Sequence, residues 1–101
     1  MSPDPAAHGP LTNPRVAINI LLGQAAYASD RVIQGDWSER YANKLLRQQS
    51  DECASVLRSL GSPGPIAYAG ISAGGRALVR WEYLEGQEVI KGTQYAKGLT
   101  A

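Results

Sequence analysis

The sequence predicts an α+β fold in which an N-terminal antiparallel helical hairpin packs on a small three-stranded antiparallel β-meander, in the order ααβββ. Apolar residues in the first half of the chain recur at helical spacing, whereas apolar and polar residues in the second half alternate with a period of two. The two halves are separated by Ser62-Pro63-Gly64-Pro65, a linker of helix-breaking residues. We therefore expect a single domain over residues 13–95.

The first helix is predicted at about residues 13–34. Asn13 is a favourable N-cap, and Pro14 suits the first helical turn because the N–H that proline lacks has no helical partner there. Gly35 favours the end of the helix after Gln34, since glycine readily adopts the left-handed conformation that follows many helices.

The second helix is predicted at about residues 36–60. Asp36, with Glu39 three residues later, resembles a capping box in which the aspartate is the N-cap. Gly61 indicates where the helix ends. Because so short a loop joins the two helices, we expect them to run antiparallel.

Three strands are predicted to follow, at about residues 66–72, 76–84 and 87–95. Their turns are supplied by Ala73-Gly74-Gly75 and Glu85-Gly86. We expect one face of the middle strand to lie under the helices, and on that face are Ala77, Val79, Trp81 and Tyr83. Alternating aromatics on a strand also stack bases in sheet-based RNA binders, and this alternative stays open.

The predicted domain is flanked by two short segments. Residues 1–12 are rich in proline and are predicted to form an extended arm, and residues 96–101 form a C-terminal tail. Arms that clasp neighbouring subunits suit a large assembly such as a virus particle. We see no secretion signal and no apolar run long enough for a transmembrane segment, so we expect a cytoplasmic or virion protein.

The composition limits the chemistry that the chain supports. A net charge of +1 over 101 residues gives no global electrostatic reason to bind nucleic acid or an anionic membrane. With Cys53 as the single cysteine and His8 as the single histidine, neither an internal disulfide nor an ordinary structural zinc site is possible. We expect no metal and no cofactor.

One motif points towards catalysis. Gly70-Ile71-Ser72-Ala73-Gly74 follows an apolar strand and resembles the nucleophile elbow of α/β-hydrolases, whose serine lies on a strand-to-helix turn. The residues after Gly75 alternate as a strand does, however, and His8 precedes the serine although the hydrolase order places histidine last. We interpret the motif as a glycine-rich hairpin turn and predict no catalytic residue, so the protein is not expected to be an enzyme.

The first helix has two apolar sides. The broad side, predicted to be buried, carries Ala17, Ile18, Leu21, Leu22, Ala25, Ala28, Val32 and Ile33. The narrow side, opposite to it, carries Val16, Ile20, Gly23 and Tyr27. A glycine there lets another backbone approach closely, so we interpret this stripe as a candidate protein contact. The alternative is that these are scattered surface hydrophobes beside a tolerated glycine.

The second helix is predicted to bury Ala42, Leu45, Leu46, Cys53, Val56, Leu57 and Leu60. We interpret Cys53 as a small core residue rather than a reactive thiol. The opposite side carries four cations, Arg40, Lys44, Arg47 and Arg58. These are candidates for binding nucleic acid or an acidic partner, because phosphates accept most protein–nucleic-acid hydrogen bonds. A charged, solvated helix face is the alternative.

Three functions remain open from the sequence. The leading hypothesis is a non-enzymatic structural or assembly protein that acts through protein–protein contacts with partners or copies of itself, and in one version it is a phage or virus accessory subunit. The first alternative is a small inhibitor or adaptor that binds one macromolecular target. The second alternative is a nucleic-acid-binding protein that uses the basic side of the second helix.

Overall fold

A computed structural model of the chain describes residues 13–95, and it confirms the ααβββ order. The elements, in chain order, are α1 (Pro14–Ile33), α2 (Glu39–Ser59), β1 (Ile66–Ile71), β2 (Ala77–Glu85) and β3 (Glu88–Tyr95). The arm predicted at residues 1–12 and the tail predicted at residues 96–101 lie outside the described residues, as does His8.

The start of α2 corrects one prediction. Asn13 caps α1 as expected, since its side chain accepts a hydrogen bond from the backbone N–H of Arg15. The N-cap of α2, however, is Ser38 and not Asp36. The N–H of Asp36 is bonded to the carbonyl of Arg31, which closes the C-terminal turn of α1 around Gly35 at φ +84°. Because the backbone of Asp36 belongs to the turn that ends α1, α2 begins only after Ser38.

β2 is the central strand of the sheet, paired antiparallel with β1 on one side and β3 on the other. Ala69 faces Val79 across the first pair, and Tyr83 faces Ile90 across the second. Both helices lie on one face of this sheet. α2 packs on β1, and α1 packs on β1 and β2, whereas β3 has at most marginal contact with either helix, and its half-buried Ile90 packs against the core.

The core lies between the helix layer and the sheet, and it confirms most of the predicted buried positions. Its buried apolar residues are Ala17, Ile18, Leu21, Ala25, Ala28, Ala42, Leu46, Cys53, Leu57, Ala69, Ile71, Ala77, Val79 and Tyr83. The prediction that Ile33 is buried was wrong, because 52% of it is exposed at the end of α1. The prediction was also too strong for Leu22, Val32, Leu45, Val56, Leu60 and Trp81, which are only half-buried.

Polar side chains of α2 bond to part of the outer edge of β1. The amide of Asn43 donates to the carbonyl of Ile71 at 3.0 Å and accepts from the N–H of Ile71 at 2.7 Å. Two turns further along the same side, the hydroxyl of Ser50 accepts from the N–H of Ala69 at 2.9 Å. These bonds satisfy edge groups that a fourth strand would otherwise bind.

A second serine continues this pattern before the start of β1. Ser62 is buried in the linker after α2, and its hydroxyl accepts from the N–H of Leu84 at 2.9 Å. The linker reaches this position because Gly61, at φ +103°, reverses the chain after α2. The linker thereby bonds to β2 where β1 has not yet begun.

The hairpin turn between β1 and β2 is tied to α1. Ser29, buried in α1, donates a hydrogen bond to the carbonyl of Gly75. Gly75 has φ +86°, and a Cβ there would lie 2.8 Å from Cγ1 of Ile33. Glycine is therefore required at this position by both its backbone conformation and the approach of the helix.

Comparing Gly75→Ala with Gly74→Ala tests that contact. Both residues have nearly the same positive φ, and both alanines carry its strain of about 1–2 kcal/mol. A Cβ at Gly74 meets no atom within 4 Å, whereas one at Gly75 overlaps Ile33. We expect Gly75→Ala to lower the free energy of unfolding by about 1 kcal/mol more than Gly74→Ala, measured by urea titration. Equal losses would mean that Ile33 moves aside without cost.

Candidate protein-contact surface

The four predicted contact residues lie together along one side of α1, here called the α1 stripe (Val16, Ile20, Gly23 and Tyr27). Val16 is half-buried, and the other three are exposed, with 43% of Ile20 and 58% of Tyr27 accessible to solvent. The stripe lies opposite the α1 side that packs into the core. Large apolar side chains are thus presented where the described part of the chain does not cover them.

Gly23 is not required by the packing of the described residues. A Cβ built at Gly23 meets no atom within 4 Å, and the residue does not have positive φ. Glycine in the middle of a helix costs about 1 kcal/mol relative to alanine. Neither local conformation nor internal packing within residues 13–95 accounts for that cost.

Three residues of the α1 stripe, Ile20, Gly23 and Tyr27, form one wall of a shallow groove of about 240 Å³ between the two helices. The residues that line the groove are Ile20, Gly23, Gln24, Tyr27, Trp37, Leu45 and Gln49. Oε1 of Gln49 is buried and has no hydrogen-bond partner among residues 13–95. The groove is therefore mainly apolar.

Aromatic packing fixes one end of this groove. The ring of Tyr27 meets Trp37 edge-on at 5.6 Å between centroids, and Trp37 meets Tyr41 in the same way at 5.0 Å. The guanidinium of Arg31 lies 5.8 Å from the Tyr27 centroid and pairs with Asp36 at 2.7 Å. Edge-to-face pairs and cation–π contacts each contribute about 0.5–1.5 kcal/mol. Tyr27 is consequently both exposed and held in place.

The far wall of the groove was missed by sequence reasoning. Trp37, Leu45 and Gln49 come from the interhelical loop and α2, and the notched position of Gly23 faces the same opening. Leu45 was predicted from the sequence to lie in the core. That Leu45 is only half-buried becomes apparent only when the positions of both helices are known. The spacing of residues within one helix does not indicate how the neighbouring helix is oriented about its own axis.

The four cations of α2 lie on its exposed side, as predicted. Arg40, Lys44, Arg47 and Arg58 are all exposed, and within residues 13–95 none of them forms an ion pair. Asp51 lies among them on the same side. The cations are therefore available to a partner, while Asp51 reduces the local positive charge.

Ser72 lies in a hairpin turn and is followed by β2, which confirms the interpretation of the glycine-rich motif. Its N–H donates to the carbonyl of Arg76 at 2.8 Å, and its hydroxyl donates to the same oxygen at 3.2 Å. Activation of a serine needs a neighbouring base that takes this proton. Here the hydroxyl helps to close the turn instead.

Cys53 is buried between the helices, as predicted, and its thiol lies 3.7 Å from the carbonyl oxygen of Ala17. Burial raises the pKa of this thiol to about 11, because the thiolate would lose its hydration there. The thiol is thereby kept in its weakly nucleophilic form at neutral pH.

Within residues 13–95, no three His, Cys, Asp or Glu side chains are grouped so as to hold a metal ion. In the same part of the chain, neither helix has the length and apolar character needed to cross a membrane.

Comparisons with protein-family models, curated proteins and solved structures gave no match to this chain. Its function must accordingly be argued from its own residues.

The buried thiol gives a prediction for alkaline pH. The pKa of Cys53 is about 11 in the folded state, above the roughly 8.5 of an exposed cysteine, so the folded state binds the thiol proton more tightly. This contribution to stability is complete below pH 8.5 and is lost as the pH rises through about 11. We expect the unfolding free energy of the wild type to fall over this range more steeply than that of Cys53→Ala, measured by urea titration. Parallel pH profiles would contradict the assignment.

Proposed function

We propose that the protein is a non-enzymatic assembly protein that acts through protein–protein contacts, and that the α1 stripe is a contact surface. The observation that carries this proposal is Gly23, an exposed helix-interior glycine that neither conformation nor packing within the described residues requires. It lies between Ile20 and Tyr27, both exposed. A second helix that approaches at this notch accounts for all three residues.

The chemistry of the groove supports a protein partner. Interface centres are enriched in Tyr, Trp and Arg, and they lose the charges that the rest of a surface carries. Tyr27 and Trp37 supply rigid aromatic surface, and Arg31 is held beside them by Asp36. Because Tyr27 is already packed against Trp37, little side-chain freedom is lost when a partner binds.

The version in which the partner is a virus or phage particle stays a prediction. It depends on the two terminal segments, residues 1–12 and 96–101, which lie outside the described residues. The inhibitor or adaptor alternative uses the same α1 stripe with a different protein. Solution mass separates them, since a protein that assembles with copies of itself exceeds the 10.8 kDa of one chain.

Gly23→Ala tests the α1 stripe with two effects of opposite sign. We expect the free energy of unfolding of the monomer to rise by up to about 1 kcal/mol, because alanine favours the helix and its methyl group meets nothing within 4 Å. We expect association to weaken by about 1 kcal/mol or more, because the same methyl group blocks the close approach of a partner. Urea titration of dilute protein measures the first effect, and light scattering over a concentration series measures the second.

Two further variants complete the experiment. Tyr27→Asp places a charge in the α1 stripe and should lower the average mass while the helical signal is retained. Ser55→Asp adds the same charge on the exposed side of α2 and should leave the mass unchanged. If Gly23→Ala and Tyr27→Asp associate as the wild type does, the α1 stripe is not the contact. A monomeric wild type at every concentration favours the adaptor alternative.

A second candidate function, nucleic-acid binding, is favoured by the exposed cations of α2. Arg40, Lys44, Arg47 and Arg58 are exposed on one side, and Tyr41 at the start of that helix is half exposed. Binding through these groups releases counterions, so its affinity must fall steeply as salt is raised. Fluorescence anisotropy with single-stranded RNA and duplex DNA at 50 and 200 mM salt measures this, and binding that is absent or insensitive to salt removes the candidate.

A further inference from the structure

β3 is an edge strand whose outer backbone groups have no partner among the described residues. The N–H groups of Ala69 and Ile71 bond to α2, so these residues of β1 direct their backbone groups away from β2. Backbone groups in antiparallel strands alternate between the two edges. Carrying that alternation through the register of both strand pairs leaves four residues of β3 with outward N–H and C=O groups, namely Val89, Lys91, Thr93 and Tyr95.

The two edges of the sheet are treated differently. Asn43 and Ser50 of α2 bond to the β1 edge at Ile71 and Ala69, whereas β3 has at most marginal contact with either helix. β3 holds no proline, and its register with β2 runs without a bulge from Glu88 to Tyr95. Apart from the charges of Glu88 and Lys91, it thus lacks the features that natural proteins use to prevent pairing at an edge.

We propose that β3 pairs antiparallel with β3 of a second copy of this chain, around a two-fold axis at Gly92. The product is one continuous sheet with three strands from each copy. Because the helices pack mainly on β1 and β2, the two β3 edges meet without bringing the helix layers into collision. This inference rests on β3 alone and does not depend on the α1 stripe.

The strand is self-complementary in this register. Opposed residues must both direct their backbone groups outward, which limits a symmetric pairing to a few registers. Of the two that overlap most of the strand, one places Lys91 opposite Lys91 of the second copy, and like charges directly opposed are unfavourable. The other, centred on Gly92, places Lys91 opposite Thr93.

The apolar ends of β3 favour the same register. It places Val89 of one copy opposite Tyr95 of the other, at both ends of the pairing. These side chains are 53% and 55% exposed, and they lie on the sheet face that the helices do not cover. Aromatic–β-branched pairs of this kind stabilise antiparallel strands. Both ends of the exposed strand are therefore covered by the second copy.

Gly92 suits the position on the axis. The indole of Trp81 lies over it, and a Cβ at residue 92 would overlap that ring, with Cε2 only 2.7 Å away. In the non-hydrogen-bonded pair that this register forms at the axis, opposed Cα atoms approach to about 4.5 Å. The two Trp81 rings then lie side by side over the paired glycines and shield the junction from water.

Charge substitution at Thr93 tests the pairing. Thr93→Glu places a carboxylate opposite Lys91 twice in the dimer, and Thr93→Lys places a like charge there twice. We expect the dimer dissociation constant to fall about five-fold for the first variant and to rise about five-fold for the second, in light scattering at low salt. The same two substitutions at Gln87, in the turn outside the paired segment, are the control and should have no effect.

Cysteine cross-linking tests the register in a Cys53→Ala background. Lys91→Cys and Thr93→Cys should form a disulfide when the two variants are mixed, because opposed Cα atoms lie about 5.5 Å apart. Neither variant should cross-link with itself, since the diagonal separation is about 7–8 Å.

A wild type that stays monomeric up to millimolar concentration would overturn the proposal. Equal effects of Thr93→Glu and Thr93→Lys, or self-cross-linking of Lys91→Cys, would also contradict it. Gly23→Ala and Tyr27→Asp should leave the β3 dimer intact, so a failure of the α1 stripe is distinguished from a failure of this pairing.

Discussion

The hydrogen bonds between α2 and the outer edge of β1 determine how the rest of the molecule is arranged. Asn43 binds both backbone groups of Ile71, as a neighbouring strand would, and Ser50 binds the N–H of Ala69. These directional bonds fix α2 along the strand, which hydrophobic contacts alone do not, because they are insensitive to small displacements. With α2 fixed, the antiparallel α1 is left with one place, over β1 and β2.

Small residues make this arrangement possible. Six of the buried core residues are alanines, and they come from both helices and from two strands: Ala17, Ala25, Ala28, Ala42, Ala69 and Ala77. With so little side chain between the layers, the hydroxyls of Ser29 and Ser50 reach backbone groups of the neighbouring layer. Each of these bonds satisfies a polar group that the tight packing has removed from water. The small core residues thus account both for the close approach of the layers and for the hydrogen bonds between them.

Much of the fold was predictable from the hydrophobic periodicity and from the helix-capping and turn residues, since the elements of this chain bury one face each. The polar contacts between layers were not. Serine is usually a capping or turn residue, so nothing in the local sequence distinguishes the buried Ser50 from the N-cap Ser38. Asp36 and Ser38 both suit an N-cap, and the choice between them depends on how α1 ends. Local pattern does not encode such competition between neighbouring elements.

The candidate surfaces divide in the same way. The α1 stripe was visible in the sequence because its residues share one side of one helix. Its facing wall of Trp37, Leu45 and Gln49 required the placement of α2. The outer edge of β3, which has no partner within residues 13–95, could not be recognised from the sequence for a related reason: the alternation of a strand is the same whether its edge is covered or open. Only the positions of the helices, which pack mainly on β1 and β2, separate the two cases.

The covered edge of β1 also sets a limit on growth. A sheet with two open edges adds strands on both sides and can extend indefinitely, as in cross-β fibrils. Here Asn43 and Ser50 bond to the β1 edge at Ile71 and Ala69 and so obstruct strand addition there, whereas the outer edge of β3 is open among residues 13–95. In the proposed dimer the two β3 edges pair with each other. A third copy would then have to add at a β1 edge, which α2 obstructs. The same side chains that orient α2 inside the molecule would therefore also limit the growth of the sheet by strand addition.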